Sequence, residues 1–348
     1  MNRFSLGTYE RFLLPSYILL SVVMAVGFGQ LVKWVSWVKW PTRMRLAGIV
    51  GLTLFLLPVA LGSLTLWRFW GLWDDRTADQ LGVDILASLP QGSILLLSRD
   101  TPLFISQYVR YALGVRPDVK LIHANRLWSS DYPATIRLRF PELVVPESEP
   151  SSMFALAFVR ANRNQFPIYT NTTFQIDTGW FWVQQGIVYR LTPQDKLPSL
   201  DSFLAQNDTL WSGFHDPREG ILSRYHHLVL SDVLSTYADG RIAVGKTLLR
   251  GGKLSDAKRY FREAISYRSD IEEQDGYTYL GLSELFDHRC DEAIAAFAKA
   301  RAASLVPDTT LTFYEGVTYR DCAKNIQKAQ ELLDRYEKLR ASQDISLQ

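Results

Sequence analysis

Three alanines, Ala257, Ala293 and Ala329, stand 36 residues apart, and Phe261, Phe297 and Leu333 keep the same interval. Gly245 and Gly281 repeat it again, with Gly316 one residue short. Few features constrain a fold more. A period of this length fits one helix-turn-helix unit, and such units bury their apolar faces only by stacking on their neighbours. The blocks DAKRYFREAI, EAIAAFAKA and AQELLDRYEKL carry the pattern. Small residues allow two helices to cross closely, and a large apolar residue one turn later fills the space beside the crossing.

This texture resembles tetratricopeptide repeats, over residues 236–348, preceded by a connector at 201–235. An ordinary helical bundle is the plainer alternative. Arrays of this kind form concave surfaces for peptide or protein partners and seldom catalyse.

The opposite end of the chain has a different composition. Residues 13–32 and 46–67 are uncharged over 20 and 22 positions, and six of the ten tryptophans fall in the first 75 residues. A helix rising about 1.5 Å per residue makes either run long enough for a hydrocarbon core of roughly 30 Å. Tryptophan flanks are typical of a membrane interface, and neither run has the form of a cleaved signal peptide. These features predict two transmembrane helices within residues 13–71, with Pro58 kinking the second. The connection 33–45 carries Lys33, Lys39, Arg43 and Arg45 without an acid, which predicts a cytoplasmic loop. The lead 1–12 and the bulk of the chain would then be extracytoplasmic, at the cell membrane, with the lipid bilayer as a partner.

Residues 72–200 alternate helix and strand. An amphipathic helix over 77–89 leads through Pro90-Gln91-Gly92 into an apolar strand at 93–98. A second helix follows, Gly114 ends it, and residues 119–123 form the next strand. Helix–strand alternation predicts a parallel sheet with helices on its faces, which the β-rich pieces at 166–170 and 186–191 would complete. The fold class expected from sequence is therefore membrane-anchored α/β: two transmembrane helices, a parallel-sheet α/β domain, then an all-α tetratricopeptide-like array.

Candidate chemistry is sparse. The chain has no phosphate-binding glycine loop, no nucleophile elbow and no metal-spaced His/Cys cluster. Adjacent His226 and His227 point apart on any regular element, so they do not form a metal pair. Asp74-Asp75 reads as a solvated pair or a helix cap. Net charge is +2, which gives no bias toward nucleic acid. Asp100 and Thr101 are better placed, at the carboxyl end of a parallel strand, where ligands bind in open α/β sheets. Capping would also account for them. Arg116, Asp118, Asn125 and Asp131, from the following loop and strand end, are candidates for the same edge. Cys290 and Cys322 occupy comparable places in neighbouring repeats, as a disulfide or as two buried thiols. The sequons Asn171-Thr172-Thr173 and Asn207-Asp208-Thr209 matter only in a glycosylating host.

Residues 79–131 resemble the soluble part of bacterial membrane proteins related to eukaryotic protein O-mannosyltransferases, polytopic glycosyltransferases of the GT-C type. The resemblance rests on Ser88-Leu89-Pro90, Ile94-Leu95-Leu96, Asp100-Thr101 and, most specifically, Gly114-Val115-Arg116-Pro117-Asp118-Val119. Tyr9-Glu10-Arg11, Phe166-Pro167-Ile168-Tyr169 and residues 186–191 extend it. Leu97-Ser98-Arg99-Asp100-Thr101-Pro102 departs from the family's Gly-Asp-Asn-Asp-Thr-Phe string, and the acidic catalytic loop of such enzymes has no counterpart here. The resemblance thus implies a C-terminal portion that lacks the catalytic core and supports acceptor or partner binding. A missing transmembrane catalytic segment would complete it, with a polyprenyl-phosphate sugar as donor. No cofactor is evident, and a divalent metal would belong only to the complete enzyme. The competing expectation is a non-enzymatic, membrane-tethered scaffold for protein–protein interaction.

Overall fold

The run Ile94–Leu97 (β1) consists of four apolar residues, all of them buried. A strand with both faces covered must sit inside a sheet flanked by helices. Here α1 (Thr77–Ala87) precedes it, α2 (Asp100–Tyr111) follows, and β2 (Lys120–His123) pairs parallel to it. A short 3-10 turn, α3 (Tyr132–Arg139) and α4 (Ser151–Asn162) lead to β3 (Ile168–Thr170), which pairs parallel on the other side of β1. The hairpin β4 (Trp180–Gln185) and β5 (Val188–Pro193) closes the sheet in the order β2-β1-β3-β5-β4. The computed structural model describes residues 74–147, 151–220, 228–267, 270–304 and 308–346, with helical positions 19, 22, 23, 26, 27 and 30.

The crossover from β1 to β2 and the return from β2 past β1 to β3 cover opposite faces of the sheet, and the core divides accordingly. Leu95 and Leu97 pack with Leu81, Ile85, Leu103 and Val109 of α1 and α2. Ile94 and Leu96 pack with Ile136 of α3 and with Phe154 and Phe158 of α4. Each fully buried leucine contributes roughly 1.5–3 kcal/mol relative to an exposed one.

The remaining elements are helical: α5 (Leu200–Gly213), α6 (Leu228–Arg250), α7 (Leu254–Ser266), α8 (Asp270–Phe286), α9 (Cys290–Ala303), α10 (Thr309–Val317) and α11 (Ile326–Ser346), with a π turn at Thr318–Cys322. The 36-residue period appears here as a repeated interlock. A Cβ on Gly245 would lie 2.5 Å from the Phe261 ring, and one on Gly281 would lie 2.6 Å from the Phe297 ring. At the third position a Cβ on Gly316 would meet Leu333 at 3.0 Å. Glycine therefore lets α6 and α8 seat the aromatic of α7 and α9 directly against the backbone. Ala257 and Ala293 are fully buried at the same crossings. The α6–α7 pair shares its core with the sheet, since Tyr237, Tyr260 and Phe261 belong to the cluster containing Leu95. The Cys290–Cys322 alternative resolves as a disulfide, with Cα atoms 5.5 Å apart.

Two parts of the expected fold class are corrected. The sheet is mixed: β3 pairs antiparallel to β5, and β5 to β4. The cause is the two-residue connection Gly186-Ile187, whose Gly186 has φ 60°, the place where a tight II′ hairpin puts glycine. A connection this short joins only antiparallel strands.

The membrane-anchored architecture and the cell-membrane localisation are also corrected, because no helix of the described residues is long and apolar enough to cross a membrane. The long described helices are interrupted by charge, Asp232, Asp239, Arg241 and Lys246 in α6 being examples. They bury one face rather than presenting an apolar surface all round. The expected spans 13–32 and 46–67, Pro58 and the loop 33–45 fall outside the described residues, save for the helical positions named above. So do the lead 1–12 with Tyr9-Glu10-Arg11, and His226-His227.

Candidate functional site

Because β1, β2 and β3 run parallel, their carboxyl ends meet at one edge: Leu97 pairs with His123, and Leu96 with Thr170. In open α/β sheets ligands bind in the crevice outside such carboxyl ends. Ser98 is the hub. Its N–H donates to Asn171 Oδ1 (2.9 Å), and its hydroxyl lies 3.1 Å from the same oxygen and 2.6 Å from the Thr172 hydroxyl. The Asn125 amide donates to the Ser98 carbonyl at 2.7 Å. Three strand ends are thus tied through one serine.

Asp100 and Thr101 open α2 at this edge, but neither caps it through its side chain. The Thr101 hydroxyl donates instead to Asp232 of α6 (2.5 Å), and Arg99 pairs with Asp239 (2.6 Å). The α6 helix therefore forms one wall of the edge. Asp100 is exposed, and its charge favours protonation of the half-buried His123. Burial outweighs that effect and moves the imidazole below its ordinary range.

Arg116 and Asp118 lie elsewhere, at the amino ends of the strands. Arg116 donates to the carbonyls of Leu86 (2.8 Å), Leu89 (2.6 Å) and Pro90 (2.8 Å), and grips Asp118 through two nitrogens (2.9 and 2.8 Å). Asp118 also accepts from Gly92 N–H at 2.8 Å. This one side chain satisfies the carbonyls left open at the end of α1 and braces the turn into β1. The hydrogen bonds from Arg116 hold the Asp118 carboxyl well below the usual carboxylate range. Arg116 takes a φ of 51°, uncommon for a non-glycine residue, to reach these partners. Asp131 is exposed beyond β2, bonded to Ser129 and paired with Arg126 at 2.8 Å; the Ser129 bond is the main cause of its lowered pKa.

Of the six candidates, the structure brings Asp100, Thr101 and Asn125 to the carboxyl edge. It places Arg116 and Asp118 at the opposite end and Asp131 on an outer turn. Ser98, His123, Asn171 and Asp232 were not legible as site residues. Asn171 alone had a signal, following a short β-rich run within Asn-Thr-Thr. Both sequon asparagines are engaged: Asn171 as above, and Asn207, almost fully buried, with Gly186 N–H (2.8 Å) and the Gln184 and Phe203 carbonyls.

A second polar centre is internal. Asp84 of α1 is buried and accepts from Tyr237 Oη (2.6 Å), His215 N–H (2.9 Å) and His215 Nδ1 (2.8 Å). It bolts α1 to α6 and to the segment after α5. Burial, with Asp84 adding to it, raises the Tyr237 pKa strongly.

Chemically, the carboxyl edge offers hydroxyl, amide and carboxylate groups suited to holding a hydroxyl- or amide-bearing ligand. Its Thr101–Asp232 pair joins a hydroxyl donor to a carboxylate acceptor. Among the described residues no group of three or more His, Cys, Asp or Glu side chains could hold a metal ion.

No protein-family model matches the chain. A solved structure of MamA aligns with 40% of this chain and 91% of its own at 16% identity, with a TM-score of 0.24, too low to define a shared fold. The protein O-mannosyl-transferase TMEM260 of Mus musculus is 31% identical over 120 residues, 34% of this chain and 16% of that protein. Its counterpart in Dictyostelium discoideum is 20% identical over 232 residues, 61% of this chain and 28% of that protein. The aligned part thus spans well under a third of either relative, and over that part the chain is similar to protein O-mannosyl-transferases.

Proposed function

We propose that this chain is an accessory, non-catalytic portion of a protein O-mannosyl-transferase-like system, contributing acceptor or partner binding. The observation that carries the reading is the similarity to two protein O-mannosyl-transferases, combined with a sheet edge lined by hydroxyl, amide and carboxylate groups that can hold a ligand. In this reading residues 72–200 contact the acceptor through Asp100, Thr101 and Asn125. Residues 201–235 connect, and residues 236–348 recruit a protein through the stacked helical pairs. The transfer chemistry, from a polyprenyl-phosphate sugar, would come from a transmembrane GT-C-type segment supplied by a partner.

The test is to assay sugar transfer from a polyprenyl-phosphate donor to a protein acceptor. The chain is present alone, with a candidate transferase segment, or omitted. Transfer should need the segment and rise when the chain is added. Transfer by the chain alone would overturn the non-catalytic assignment, and transfer indifferent to the chain would overturn the accessory role. The second reading, a scaffold unconnected with sugar transfer, is favoured by the glycine–aromatic interlock of the helical pairs, and indifference in this assay would select it.

A further inference from the structure

The outer face of α2 is exposed. Leu103, Ser106 and Val109 point inward and are buried. Phe104, Tyr108 and Tyr111, at i, i+4 and i+7, share the opposite face and are 58%, 48% and 44% exposed. Single exposed aromatics are ordinary, but three in a row on one helix face form a patch.

Arginines border it. Arg110 lies 4.4 Å from the Tyr111 ring centre and Arg139 of α3 lies 4.8 Å from it, so α3 extends the same surface. Arg137 reaches only the Val145 and Pro146 carbonyls, at 3.4 and 3.3 Å. Several other arginines pair with carboxylates, among them Arg99, Arg116, Arg126, Arg163, Arg218 and Arg259. Among the described residues no carboxylate forms an ion pair with Arg110, Arg137 or Arg139. Neither α2 nor α3 contains a lysine, and α3 contains no acid.

From this combination we propose that the face formed by α2 and the end of α3 docks an acidic protein segment bearing apolar side chains. Exposed Tyr and Arg are the residue types that dominate protein interfaces. A guanidinium stacked on a ring still has N–H edges, which bind a carboxylate bidentately. Charge complementarity therefore selects an acidic occupant, and the aromatic ridge selects its apolar positions. Arginine without lysine favours planar carboxylates over a diffuse anionic surface such as a lipid bilayer or a nucleic-acid backbone.

The test pans a displayed random 12-residue peptide library against the full chain. Enriched peptides should combine Asp or Glu with apolar residues. Their affinity should fall roughly tenfold or more in an Arg137→Glu/Arg139→Glu variant, in line with loss of charge-assisted hydrogen bonds. A separate Phe104→Ser/Tyr108→Ser variant should also lose them, while the thermal midpoint of both variants stays close to that of the parent. Failure to enrich, enrichment of non-acidic peptides, or binding unchanged in both variants would overturn the proposal. So would arginine-dependent binding to phosphatidylserine vesicles or single-stranded RNA in place of peptide.

Discussion

Replacing Gly245 by alanine tests the structural meaning of the 36-residue period. In an unconstrained helix interior this change should stabilise by roughly 0.5–1 kcal/mol, because alanine loses less backbone entropy on folding. Here the new Cβ would approach three atoms of the Phe261 ring, at 2.5, 2.9 and 2.9 Å. Phe261 is fully buried and stacks on Tyr279 with ring centres 5.8 Å apart, so it cannot simply swing away. Forcing a methyl into such a site costs about 1–3 kcal/mol. Three ring atoms within 3 Å put the cost in the upper part of that range, about 2–3 kcal/mol, and subtracting the propensity gain leaves a net loss of about 1–2.5 kcal/mol. For a unit of this size the loss should lower the thermal midpoint by roughly 2–10 °C, read by differential scanning fluorimetry or denaturant titration. Gly213, with no atom within 4 Å of its Cβ position, is the internal control, and its alanine variant should be unchanged or slightly more stable. A second arm uses Phe261→Leu. The Gly245→Ala/Phe261→Leu double variant should lose less than the sum of the two singles, because the smaller side chain vacates the space the methyl needs. If Gly245→Ala matches or exceeds the parent in stability, or the double variant is strictly additive, the interlock is not what holds these helices together.

Three further outcomes are expected. Arg116→Ala removes the guanidinium from the Leu86, Leu89 and Pro90 carbonyls and from the Asp118 carboxylate, which keeps its Gly92 N–H bond, and should destabilise by about 2–4 kcal/mol in denaturant unfolding. Arg116→Lys should not rescue it, since one ammonium cannot span that fork. Two of the shifted groups act on opposite limbs of the pH dependence. Asp118 is lowered in the fold, so its contribution is present above the ordinary carboxylate range and is lost as pH falls through and below it. Tyr237 is raised, so its contribution is present below its ordinary value near 10 and is lost as pH climbs beyond that. Tyr237→Phe should make the alkaline limb of the stability–pH curve shallower, with Tyr260 and the other raised tyrosines supplying what remains. Serine at both Cys290 and Cys322 removes a cross-link spanning 32 positions, a loss of about 3.5–4 kcal/mol by loop-closure entropy, measured as a shift in denaturant midpoint between oxidised parent and variant.

Local pattern carried far in some places. Leu81 and Ile85, spaced along one helix face, are both fully buried, and the apolar run at 94–97 is a strand with both faces covered. The alanine and aromatic period translated directly into helix crossings, because a repeat states its nearest-neighbour contacts in its own spacing. The membrane-anchored reading rested on hydropathy at positions mostly outside the described residues, and no helix of the described residues is long and apolar enough to cross a membrane.

Helix and strand alternation over residues 77–123, and the small and aromatic positions of the 36-residue period, were readable from local pattern alone. Tertiary packing settled which end of the sheet Arg116 and Asp118 occupy, that the last two strands reverse direction, and which groups complete the carboxyl edge. Asn171 reaches Ser98 across 73 positions, and Asp232 reaches Thr101 across 131. Periodicity reports that a face is buried, but it holds no information about what covers that face. Contacts this distant are selected by how the layers pack, and they exist only once the sheet and α6 have come together.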